Sequence, residues 1–189
     1  PPPMDDRGAL LRRLQGEKRR PFLAAIDGRC AAGKTTLAGE LQAALGCNVV
    51  HMDDFYLPFS KRTAERMARP GGNMDFDRLL SEVLLPLRNG ENALYRPYDC
   101  HADRFLTARE LDGSALTVVE GSYSCHPALR ELYDLRVFLD ISPETQERRL
   151  TARDPSVVEA FRTVWIPREE HYFDACQVRG CCGLVLRVE

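Results

Sequence analysis

The chain has 189 residues, enough for one domain with a substantial core, and a formal charge of −2. That balance leaves no basic footprint for nucleic acid or an anionic membrane. No apolar run approaches the roughly 20 residues of a membrane span. No basic-then-apolar leader opens the chain, so a cytoplasmic location is the expectation. The seven cysteines form no CxxC pair. Metal or redox chemistry around Cys176, Cys181 and Cys182 is one reading; reduced, partly buried thiols are the favoured one.

Leucines 10, 11 and 14, spaced by charges, predict a short helix over 5–16. FLAAI (22–26) reads as a buried strand. Leu37, Leu41, Ala44 and Leu45 then share one face of a helix over 35–45, and 47–50 is a second strand. Residues 60–69 are charged and predict a helix, stopped by the RPGGN breaker at 69–73. Leu79, Leu80, Val83, Leu84 and Leu87 give 76–87 an apolar stripe at helical spacing. Residues 93–98 look extended. Strands follow at 116–119, 135–141 and 184–188, with helices over 143–152 and 157–175, the latter broken at Pro167. Apolar strands alternating with helices predict an α/β fold, a parallel sheet covered on both faces, in a single domain over 1–189.

Two stretches carry chemistry. GRCAAGKT, Gly28 to Thr35, matches G-x-x-x-x-G-K-[ST] between a strand and a helix. Gly28 and Gly33 free the backbone to turn its N–H groups towards a polyphosphate, and the new helix adds the positive end of its dipole. The nucleotide-binding set is therefore Gly28, Arg29, Cys30, Ala31, Ala32, Gly33, Lys34, Thr35 and Thr36. Lys34 is expected to reach the β- and γ-phosphates, and Thr35 to bind Mg²⁺ through its hydroxyl. Asp27, just before the loop, either orients it or is a satisfied strand-end acid. The second stretch is VVHMDDFYLP (49–58), where a buried strand ends in two adjacent acids. Taken alone, they read as solvated charges. In extended backbone Asp53 and Asp54 would point opposite ways, so only one is expected to face a phosphate. No N-K-x-D guanine-reading sequence is present, and LTVVEGSY ends in one acid, Glu120.

GRCAAGKTT, HMDDFY and VVEG, in that order, resemble the uridine kinase-like branch of P-loop kinases. That branch includes uridine–cytidine, nicotinamide riboside and phosphoribulokinases and a bacterial pantothenate kinase type. The similarity runs over about 22–188. It implies a three-layer P-loop NTPase fold with a mostly parallel, about five-stranded sheet and a short helical lid at about 153–168. It implies ATP and Mg²⁺ as cofactors, Asp53 as the base for the attacking hydroxyl and a neighbour of the metal, and Glu120 as a further metal contact. GGNMDFDRLL resembles an acceptor-binding segment and implies Asp75 on ribose hydroxyls. YRPYDCHADR implies Tyr98, His101 and Arg104 around the acceptor, and RRLTARD implies Arg149 and Arg153 over the phosphates. Each has a plain alternative: a helix-start acid for Asp75, a packed strand residue for Tyr98, a surface histidine for His101, a solvated helix face for the arginines. Beyond Asp154 the segment PSVVEAFRTVWIPREEHYF departs from the uridine kinases, and Arg162 or Arg168 could serve in place of their lid arginines. The expected activity is transfer of the γ-phosphoryl group to a hydroxyl of a nucleoside, uridine-like, or a similar small metabolite. A kinase for a vitamin precursor or sugar phosphate, and an ATPase or regulator with no acceptor, are the alternatives.

Overall fold

A computed structural model describes residues 6–188. Helix α1 (Asp6–Gly16) leads to β1 (Leu23–Gly28), the phosphate loop and α2 (Lys34–Leu45), then β2 (Asn48–His51); Asp5, expected to begin α1, lies outside the described residues. A helix over 76–88 precedes two small antiparallel ribbons. The first pairs β3 (Ala93–Tyr95) with β6 (Arg109–Leu111), the second β4 (Tyr98–Asp99) with β5 (Arg104–Phe105). Then come β7 (Thr117–Glu120), β8 (Leu135–Ile141), a helix Pro143–Arg153, a helix over 158–175, a short helix Val178–Cys181 and β9 (Leu184–Val188).

The central sheet runs β2-β7-β1-β8-β9, and all its pairings are parallel. The strands are apolar on both faces, as burial under two helical layers requires. Ala24 and Ile26 face Leu10, Leu14, Leu37 and Leu41 of α1 and α2. Leu23 and Ala25, one step out of phase, face Leu79, Val83, Leu84, Tyr172 and Phe173. The three layers follow from that alternation. Parallel register also sets the functional edge. Ile26 and His51 both pair with Glu120, so the ends of β1, β2 and β7 lie side by side. Such an edge, where connections leave in opposite directions, is where open α/β sheets take ligands.

Three local expectations change. Of 60–69, a 3-10 turn at Phe59–Lys61 and the four-residue helix Ala64–Met67 form, the latter capped by Thr63 Oγ1 on Arg66 N at 3.1 Å. Arg66 turns away to bind the carbonyls of Gly72 and Met74, which ties the breaker segment down. The 158–175 helix does not break at Pro167. A π turn, Phe161–Trp165, widens the helix just ahead of the proline and relieves the ring clash. The same device, Leu80–Leu84, precedes Pro86 in the other long helix. Finally, Asp53 and Asp54 lie not in extended backbone but in a 3-10 turn, Met52–Phe55.

Candidate active site

The loop after β1 owes its shape to residues with positive φ: Gly28 (139°), Ala31 (64°) and Gly33 (92°). At Gly28 the requirement is also steric, because a Cβ there would lie 2.1 Å from the Leu139 carbonyl oxygen. Asp27 is fully buried beneath the loop and accepts hydrogen bonds from Gly28 N (2.7 Å), Cys125 N (2.9 Å) and Tyr172 Oη (2.6 Å). Burial pushes its pKa up against those bonds. Orienting the loop is the role this geometry supports. Arg149 Nη1 donates to Ala31 O at 3.0 Å from the other side.

Lys34 is buried, and its Nζ donates to the carbonyls of Gly28 and Arg29, both at 2.8 Å. Beside it, Thr35 Oγ1 donates to Glu120 Oε1 at 3.2 Å. His51 Nδ1 pairs with the same oxygen at 2.6 Å, which raises the histidine pKa. A cavity of about 550 Å³ opens over this edge, lined by Lys34, Thr35, Asp53 and Glu120 among others. Asp53 is open to the water of the cavity yet ringed by protein, and that partial desolvation raises its pKa against the Tyr56 hydroxyl it accepts at 3.0 Å. Asp54 is engaged elsewhere. Its carboxylate accepts the Tyr95 hydroxyl, whose oxygen in turn receives His51 N–H at 3.0 Å. Arg78 donates to the Asp54 carbonyl at 2.8 Å. Asp53 thus lines the cavity while the Asp54 carboxylate is bonded to Tyr95, and a 3-10 turn rather than strand alternation separates them.

The donors on this wall fit a magnesium–nucleotide pair. They are oxygens, Thr35, Asp53 and Glu120, few enough to leave positions for phosphate and water, as Mg²⁺ prefers. Among the described residues no three His, Cys, Asp or Glu side chains converge as a protein-only metal cage.

Of the other expected residues, Cys30, Ala31, Gly33, Thr36, His101 and Arg153 line the cavity. Gly28, Arg29 and Ala32 shape the loop behind it. Asp75, Tyr98, Arg104 and Arg149 are not among the lining residues. Asp75 caps the 76–88 helix, accepting Arg78 N at 3.2 Å. Tyr98 bonds Asp103 and packs on Phe105, while Arg104 is exposed on the same ribbon.

The cavity also holds residues that motif reasoning passed over. Asn73, two positions before Asp75, is 3% exposed, and among the described residues its Oδ1 meets no hydrogen-bond partner. Tyr56, Phe59, Tyr123, Phe161 and Trp165 supply aromatic walls, and Arg62 a cation. Glu169, buried, accepts Cys30 N at 2.8 Å and the Ser122 hydroxyl at 2.6 Å; burial raises its pKa. Its neighbour Glu170 pairs with Arg29 at 2.8 Å, so the 158–175 helix is fastened to the phosphate loop. The run of acids in REEHYF is the one sequence signal for this, and it carries no direction.

A parallel sheet with the loop on its central strand, Lys34 and Thr35 opening the next helix, and acids on two neighbouring strand ends define a P-loop NTPase fold of the kinase kind. The chain belongs to the phosphoribulokinase/uridine kinase family, whose model matches residues 23–157. It is 26% identical to uridine-cytidine kinase 2-B of Danio rerio over 202 aligned positions, covering 88% of this chain and 76% of that protein. It is 27% identical to uridine-cytidine kinase B of Dictyostelium discoideum, covering 72% of this chain, and 29% identical to a pantothenate kinase of Streptomyces avermitilis, covering 75%. The match spans only 59% and 51% of those two proteins. In fold, a structure described as a possible uridine kinase from Bacillus stearothermophilus superposes with a TM-score of 0.72 at 20% identity, over 96% of this chain and 97% of that one. No helix among the described residues is long and apolar enough to cross a membrane.

Proposed function

We propose that the chain is a small-molecule kinase that moves the γ-phosphoryl group of ATP to a hydroxyl of a nucleoside or similar polyol metabolite. One observation carries the reading: a carboxylate, Asp53, held only by the Tyr56 hydroxyl, shares a cavity with Lys34 and Thr35 of the phosphate loop, beside space for an acceptor. A nucleotide-binding regulator has no need of that acid or that space.

Magnesium bound with the nucleotide would neutralise charge on the phosphates; Thr35 would hold it, with Asp53 and Glu120 as neighbouring oxygens. Lys34 leaves the Gly28 and Arg29 carbonyls and turns to the phosphates, since its donors are already at the loop. Asp53 orients the attacking hydroxyl and takes its proton. Tyr56 holds the carboxylate in place. Arg153 lines the cavity wall, and its charge would stabilise the transition state. Asn73 lines the cavity with its buried Oδ1 unpartnered among the described residues, so a small turn of the side chain would bring it to the acceptor, and the aromatic walls offer a stacking surface.

Arg62 favours a second acceptor class. Its guanidinium lies 4.3 Å over the Phe59 ring within the lining, where it would suit a carboxylate or phosphate on the acceptor. The pantothenate kinase relative points the same way. The test is ADP release with Mg–ATP against a panel of ribonucleosides, hydroxy acids and sugar phosphates. One acceptor should raise turnover severalfold, and Asp53→Asn should abolish that increment. Hydrolysis that ignores every acceptor would refute the kinase reading. Activation by ribonucleosides alone would dismiss the anionic class.

A further inference from the structure

The acid that ends β7 has a partner to which the phosphoryl-transfer chemistry assigns no role. Glu120 is only 3% exposed yet lines the cavity. Its Oε1 takes two hydrogen bonds, from Thr35 Oγ1 at 3.2 Å and from His51 Nδ1 at 2.6 Å. A carboxylate can only accept, so Nδ1 is the ring nitrogen that carries the hydrogen. Glu120 Oε2 takes no hydrogen bond among the described residues. His51 is not one of the residues lining the cavity, so it can act there only through Glu120.

The pairing is built into the sheet. His51 ends β2, Glu120 ends β7, and the parallel register sets the two residues side by side. The histidine is in turn fixed from behind. Its N–H donates to Tyr95 Oη at 3.0 Å, and the Tyr95 hydroxyl donates to Asp54. Tyr95 is fully buried, edge-on to Phe55 with ring centroids 5.5 Å apart and covered by the Arg109 guanidinium at 4.6 Å. A continuous chain of contacts therefore runs from Asp54 through Tyr95, His51 and Glu120 to Thr35 of the phosphate loop.

We infer that His51 is a positioning residue: by holding Glu120 Oε1 it fixes the carboxylate so that Oε2 is the oxygen presented to magnesium bound with the nucleotide. The inference rests on the kinase reading in one respect, that a magnesium nucleotide sits at this wall. Thr35 cannot do the same work alone, because its hydroxyl is a free rotor and is itself expected at the metal. The imidazole is rigid, its backbone is tied into β2, and its bond to Glu120 is the shorter of the two. Partners that orient a metal-side ligand in this way are worth about 10–100-fold in metal affinity.

The test reads nucleotide binding and needs neither acceptor nor turnover, so hydrolysis that ignores every acceptor would refute the kinase reading and leave this one standing. Calorimetry gives the dissociation constant of a non-hydrolysable ATP analogue in EDTA and in excess Mg²⁺. The wild type should bind more tightly with Mg²⁺. His51→Ala should lose most of that gain, an effect of about 10-fold or more, and should match the wild type in EDTA. His51→Asn puts an amide N–H near the place of Nδ1 and should recover most of the gain. His51→Gln, whose amide falls near the place of Nε2, should not. In a Glu120→Ala background, His51→Ala should cost nothing further, because the histidine acts only through that acid. Should His51→Ala fold poorly by circular dichroism, the contrast between Asn and Gln decides. Equal weakening in EDTA and in Mg²⁺ would reduce His51 to a support of the loop and overturn the proposal. So would an unchanged Mg²⁺ gain in His51→Ala, an Asn variant no better than the Gln one, additive losses with Glu120→Ala, or a wild type whose affinity ignores Mg²⁺.

Discussion

Gly121 follows Glu120 at the end of β7, where a methyl group has no room. The backbone holds φ at +130°, and an added Cβ would lie 2.7 Å from Met52 Cβ and 3.1 Å from Met52 Cγ. Carbon atoms in contact ordinarily stand about 3.5–4.0 Å apart, so Gly121→Ala requires Met52 to retreat by about 1 Å. Met52 is buried and cannot simply swing into solvent. The strained φ costs about 1–3 kcal/mol and the overpacking a similar amount, about 2–6 kcal/mol together. For a chain of this size that reads as a Tm lowered by about 5–20 °C. Met52 also opens the turn that carries Asp53, and an error of about 1 Å in a reacting group costs on the order of 10²-fold in rate. Thermal unfolding followed by circular dichroism measures the first effect, and kcat with the best acceptor measures the second. Gly39 is the control: it lies inside α2, and an added methyl there would meet nothing within 4 Å, so Gly39→Ala should stabilise by about 0.5–1 kcal/mol. A Gly121→Ala protein that melts within about 2 °C of wild type and keeps its kcat would show that the approach of β7 to Met52 does not position the acid.

The remaining predictions use the same site. Asp53→Asn should lower kcat by roughly 10²–10⁴-fold, whereas Asp54→Asn should leave kcat nearly intact and lower Tm, since it weakens the bond to Tyr95; the reverse pattern in steady-state kinetics would exchange their roles. Asn73→Ala should raise the acceptor KM about 2–10-fold, the worth of one hydrogen bond, with the ATP KM unchanged, while Asp75→Ala should cost stability as a lost helix cap and spare the acceptor KM. Glu169→Gln keeps an oxygen for Cys30 N–H and removes a buried charge. Because the folded-state pKa of Glu169 is raised, ionisation costs the wild type stability as pH climbs from the ordinary value of 4.5 through the raised one. The variant should therefore melt above wild type at pH 7, and the gap should close as pH falls below 4.5; a gap independent of pH would mean that the charge is not the cause.

What the sequence discloses and what it withholds divides along a physical line. The sheet strands were legible because burial on both faces leaves an apolar run, and the phosphate loop because its glycines answer a backbone need that few residues meet. Parallel pairing then did the assembling: once β1, β2 and β7 are neighbours, Glu120 must end beside His51 and near Thr35, although 85 residues separate it from Thr35. The direction of a polar side chain has no such local signature. Asp75 and Asn73 both belong to one short segment, yet Asp75 is consumed by the first turn of its own helix while Asn73 reaches the cavity, its Oδ1 unpartnered among the described residues. The deciding term is whether a local backbone donor is free to take the oxygen, and a helix start always has one to offer an acid. Pro167 makes the same point for the backbone: the rule that proline ends a helix assumes a regular α ladder, and a π turn ahead of it removes the clash. Continuity of that helix is what carries Glu169 and Tyr172 to the phosphate loop, so the local exception at Pro167 is the condition for contacts that no motif announced.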